Sequence, residues 1–131
     1  MCPKLCSYLA LFLSILSLNV YAEYKTSGQM TNEEYQKVSE SSAEYNECLN
    51  EFAMSQLQSQ PDVRVIADHS MKKCAVHLEN LYDQLLLGGY PPEAMRRFIG
   101  SISNKSANKL LSNVMRYKAM HNFSGRLPFL E

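Results

Sequence analysis

Pro61 stands between two long amphipathic stretches, with Cys48 about as far before it as Cys74 lies after it. No other feature restricts the fold of this chain as much. Gln60-Pro61-Asp62 breaks a helix, because proline disfavours helical geometry in the residue before it, and Asp62 can cap the start that follows. At a rise of 1.5 Å per residue both cysteines lie roughly 19 Å from the turn, so an antiparallel hairpin brings them to the same height. Cys74 falls in the middle of its apolar sector and Cys48 on the flank of its own, so both face the shared seam. The expectation is a Cys48–Cys74 disulfide, stabilising by about 3–4 kcal/mol on the chain-entropy model. Redox-active pairs usually sit two residues apart at an exposed helix start; these sit mid-helix, which makes the bridge structural.

The flanking helices are well marked. Thr31-Asn32-Glu33-Glu34 reads as a capping box opening a first helix over 31–58, with Tyr35, Val38, Tyr45, Leu49 and Phe52 in one apolar sector. The second helix, 63–87, buries Ile66, Ala67, Met71, Cys74, Leu78, Leu81 and Leu85, and Gly88-Gly89 closes it as a left-handed C-cap. Pro91-Pro92 then opens a third helix, 92–103, marked by Met95, Phe98, Ile99 and Ile102. Beyond it Leu110, Val114, Tyr117 and His121 keep a helical spacing in a sector rotated by about a quarter turn. Gly100, Ser101, Ser103, Asn104 and Ser106 are poor helix formers. A break near 103–105 and a fourth helix over 105–121 are therefore expected, with one continuous helix as the alternative. The fold class is all-α: an antiparallel bundle of three to four helices with one inter-helix disulfide.

Residues 1–22 read as a cleavable export signal. Lys4 supplies a basic start, the apolar run from Tyr8 to Leu18 is too short to span a bilayer, and Val20-Tyr21-Ala22 suits a signal peptidase. Cleavage would remove Cys2 and Cys6 and place the rest in the periplasm or outside the cell, where disulfides persist. The remainder divides into a flexible leader (23–30), the bundle domain (31–122) and a C-terminal tail (123–131), whose Leu127, Pro128, Phe129 and Leu130 fold back over the bundle or dock on another protein. A chain of this size buries roughly 65% of its unfolded surface and needs no partner to fold.

Charge is balanced overall and polarised along the chain. Residues 23–60 carry seven acids and two bases, and residues 91–131 carry seven bases and two acids. Glu40, Glu44, Glu47 and Glu51 form an acidic stripe on the first helix; Lys105, Lys109 and Arg116, with Arg97 nearby, form a basic one on the last. Both oppose the apolar sectors, so they face solvent and do not pair within one molecule. Either stripe can dock a partner, or the two can pair between molecules as a weak, salt-sensitive contact. The basic stripe lacks interleaved exposed aromatics, which argues against nucleic acid.

Chemistry is sparse. His69 and His77 are eight residues apart, so their backbones are about 12 Å apart and cannot share an ion. The methionines are spread over several helices, as core fillers are. There is no phosphate loop, nucleophile elbow or HExxH, so neither catalytic nor cofactor nor metal residues are assigned. Asn104-Lys105-Ser106 and Asn122-Phe123-Ser124 match the N-glycosylation acceptor, relevant only in a eukaryote. The expected function is a non-enzymatic protein-binding module, such as an accessory, inhibitor or chaperone-like factor of the cell envelope. The alternative is a carrier holding a lipid or other apolar ligand between helices lined by Tyr35, Tyr45, Phe52, Leu78 and Phe98.

Overall fold

The computed structural model describes residues 23–124, with side chains through His121. The expected export signal at 1–22, residues 125–131 of the expected tail and the Asn122 side chain lie outside what is described. Three helices follow a short 3-10 turn at Ser27–Gln29: α1 (Asn32–Gln56), α2 (Val63–Leu87) and α3 (Pro92–Ser124). No strand occurs among the described residues.

Each helix boundary has a chemical cause. At the start of α1 the Glu34 amide donates to Thr31 Oγ1 (3.2 Å) and the Thr31 amide donates to Glu34 Oε2 (2.7 Å), the reciprocal capping box. Asp62 Oδ1 accepts from the Arg64 amide at 2.8 Å to open α2. At its end the Gly89 amide donates to Leu86 O and the Tyr90 amide to Leu85 O. That pair of hydrogen bonds requires a left-handed residue, which Gly89 supplies at φ +87°. The left-handed position is thus Gly89, with Gly88 still right-handed at φ −70°.

The hairpin forms as the cysteine spacing requires. Cys48 and Cys74 are disulfide-bonded across α1 and α2, with their Cα atoms 5.9 Å apart. Two polar contacts fix the register of α3. Tyr45 Oη lies 3.3 Å from Ser103 Oγ, and Lys118 Nζ donates to the carbonyls of Gln60 and Pro61, both at sequence separations of 57 or 58. A near-constant offset means that α3 runs parallel to α1 and antiparallel to α2.

The break expected at 103–105 is absent: α3 is one helix of 33 residues. The rotated apolar sector marks a change of partner instead. Met95 packs in a cluster with Leu81, Leu85 and Tyr90, whereas Leu110 and Val114 join Tyr45, Leu49, Ile66 and Cys74; Ile99 and Ile102 touch both. Ser103 and Ser106, read as helix breakers, sit at the crossing, where Ser106 is buried and Ser103 meets Tyr45. Burial of small residues there outweighs their weak intrinsic propensity. Two further expectations change. Tyr35 is 54% exposed, its hydroxyl 3.5 Å from Ser27 O, and His121 is exposed, stacked beside Tyr117 at 4.3 Å between ring centroids.

Candidate functional site

An open groove of about 690 Å³ runs between α2 and α3. Met71, Ala75, Leu78 and Tyr82 line it from α2, spaced so that they share one helical face, and Ile99 lines it from α3. Charged residues rim it: Asp68, Lys72, Glu79 and Asp83 on α2, Arg96 on α3. Lys72 donates to Asp68 at 2.8 Å, a bond that lowers the Asp68 pKa, and Arg96 pairs with Glu93 at 3.3 Å. Glu79 and Asp83 are exposed and have no ion-pair partner among the described residues. The rim's unneutralised charge is therefore acidic.

All eight stripe residues, Glu40, Glu44, Glu47, Glu51, Arg97, Lys105, Lys109 and Arg116, are exposed. No ion pair joins the two stripes. The reason lies in which flank of α1 each residue occupies. Glu44 reaches His77 of α2 at 3.4 Å, so it leans toward α2. The flank facing α3 instead carries Ser42 and Asn46, which line a shallow hollow with Lys105 and Lys109. Arg97 lines another hollow on the same seam, beside Tyr35 and Phe98.

The five residues expected to line an internal ligand site are not brought together. Tyr45 and Leu78 border the α2–α3 groove, Tyr35 and Phe98 the hollow near the leader, and Phe52 borders neither. No group of three or more His, Cys, Asp or Glu among the described residues is placed to hold a metal ion. No helix among them is long and apolar enough to cross a membrane.

Comparison with protein-family models, curated proteins and solved structures found no match.

One polar cluster escaped the sequence reading. Glu34, read only as a cap, also accepts from Tyr90 Oη at 2.8 Å and pairs with Lys25 Nζ at 3.3 Å. Lys25 in turn lies over the Tyr90 ring, 5.4 Å from its centroid, and its amide donates to Gly89 O at 2.9 Å. These contacts tie Lys25 and Glu34 to the α2–α3 turn. The bond from the Thr31 amide, then that from Tyr90, hold the Glu34 carboxyl at about 2. Burial first, and the bond to Glu34 second, push the Tyr90 phenol up to about 12. A signal for Tyr90 existed: the second residue beyond a Gly-closed helix commonly packs back on its last turn. Lys118 carried none, because its partners are backbone carbonyls of a distant turn.

Proposed function

We propose that this protein is an exported, non-enzymatic protein-binding module, an accessory, inhibitor or chaperone-like factor of the cell envelope, whose α2–α3 groove receives an amphipathic helix of a partner protein. The observation that carries the reading is the groove itself: an apolar floor at helical spacing in which Leu78 is buried while Met71, Ala75, Tyr82 and Ile99 stay only half-buried. Its unneutralised rim acids, Glu79 and Asp83, favour a partner helix bearing Lys or Arg beside its apolar face. Export is supported by the signal-like pattern of residues 1–22 and by the disulfide, which persists in oxidising compartments.

The test is a photo-crosslinking residue at position 75, in the groove floor, in protein expressed in its own source. The expected adduct is a peptide of another protein with apolar residues at i, i+3 or i+4 and basic neighbours, lost in a Glu79→Lys/Asp83→Lys background that keeps the crosslinker at position 75. Adducts confined to a lipid or small apolar molecule would replace this reading with a carrier, and the absence of any adduct would overturn it.

A further inference from the structure

We infer that the acidic face of α1 and the basic face of α3 are the two halves of one self-recognition surface, whose occupant is a second copy of this chain. Within one molecule the halves cannot meet, since Ser42 and Asn46 hold the flank of α1 that faces Lys105 and Lys109. His77 occupies Glu44 alone, so Glu40, Glu47 and Glu51 are left without a cation among the described residues. Arg97, Lys105 and Lys109 are likewise left without an acid. Exposed rows of opposite sign on one chain are electrostatically complementary to each other's copies.

Register turns that complementarity into a specific pairing. The separation of 58 that joins Tyr45 to Ser103 also joins Gln60 to Lys118, so a residue of α1 stands at the height of the α3 residue about 58 further on. Glu47 and Lys105 obey that offset, as do Glu51 and Lys109, and Glu40 and Arg97 miss it by one residue. A two-fold axis running along the bundle preserves height and places α1 of one copy against α3 of the other. It therefore sets all three acids opposite all three bases, twice over by symmetry. Exposed ion pairs are individually weak and screened by salt, so the dimer is a low-affinity, salt-sensitive one. The surface is separate from the α2–α3 groove, and the inference does not rest on the reading of that groove.

Sedimentation velocity of the purified chain at several concentrations tests it. A dimer is expected at ~20 mM salt, weakened about tenfold or more at ~500 mM. Lys105→Glu/Lys109→Glu should be monomeric at both salts, and so should Glu47→Lys/Glu51→Lys, with the helical circular dichroism of the parent. Mixing the two variants should restore a dimer, because each now carries rows of one sign that match the other's. A parent that stays monomeric at low salt and high concentration, a dimer indifferent to either reversal, or a mixture that fails to pair would each overturn the inference.

Discussion

At the scale of single residues, Glu34 joins the leader and the α1 cap to the distant α2–α3 turn. Its folded pKa of about 2 lies below the ordinary 4.5. The carboxylate therefore contributes stability in full above the unfolded value, and that contribution is lost as pH falls through the folded one. Glu34→Gln is expected to lower the Tm by several degrees at pH 7, and its melting curve should converge on that of the parent as the pH approaches 2. Thermal melts between those limits measure this. Tyr90 gives the complementary alkaline signal. With its pKa raised to about 12, it should be among the last tyrosines to ionise in a titration followed by absorbance, and Tyr90→Phe should remove that final step. Tyr45 is a separate case, 1% exposed with its hydroxyl 3.3 Å from Ser103. Tyr45→Phe should cost about 0.5–1.5 kcal/mol in chemical denaturation, the usual net worth of one such bond. The Glu34–Tyr90 and Tyr45–Ser103 links were not legible in the sequence, because each joins side chains more than fifty residues apart, and local patterns report only on near neighbours.

At the scale of elements, starts and stops were legible because their causes are local: Thr31 and Glu34 cap each other, Asp62 caps α2, and glycine closes it. The continuity of α3 was not. Propensity counts Gly100, Ser103 and Ser106 against a helix, while at Ser103 and Ser106 the decision is made by what they touch in three dimensions. A Cβ built at Gly100 meets nothing within 4 Å. Gly100→Ala should therefore stabilise the protein by about 0.5–1 kcal/mol, by restricting the unfolded chain without a clash. Gly89→Ala has equally open space but a φ of +87°, so it should destabilise by about 1 kcal/mol. Opposite signs at the two sites in urea denaturation would establish both backbone assignments together.

At the scale of the whole molecule, fold class and bridge could be read in advance because helix period, Pro61 and the cysteine spacing all point to one hairpin. The groove could not. Of its floor, helical periodicity places Met71, Leu78 and Ile99 in apolar sectors and passes over Ala75 and Tyr82, because it separates apolar from polar sectors but does not say which flank of a helix a third helix leaves open. The charged faces were legible as faces, since helical spacing alone displays them; that they share heights across α1 and α3 needed the offset fixed by Ser103 and Lys118. Cys48→Ala/Cys74→Ala should lower stability by about 3–4 kcal/mol, measured by denaturant unfolding. That loss should fall on the α1–α2 hairpin and α3 together, because α3 packs against both of its partners without a covalent link.

The bridge also decides what a protease can accomplish. The exposed turn around Ser59 and Pro61 lies inside the segment that Cys48 and Cys74 enclose, and exposed turns are preferred cutting sites. A single nick there leaves the two pieces chained together, so the particle keeps its size on a non-reducing gel and separates into fragments only after reduction. In a protease-rich compartment, the crosslink would let a clipped molecule stay assembled.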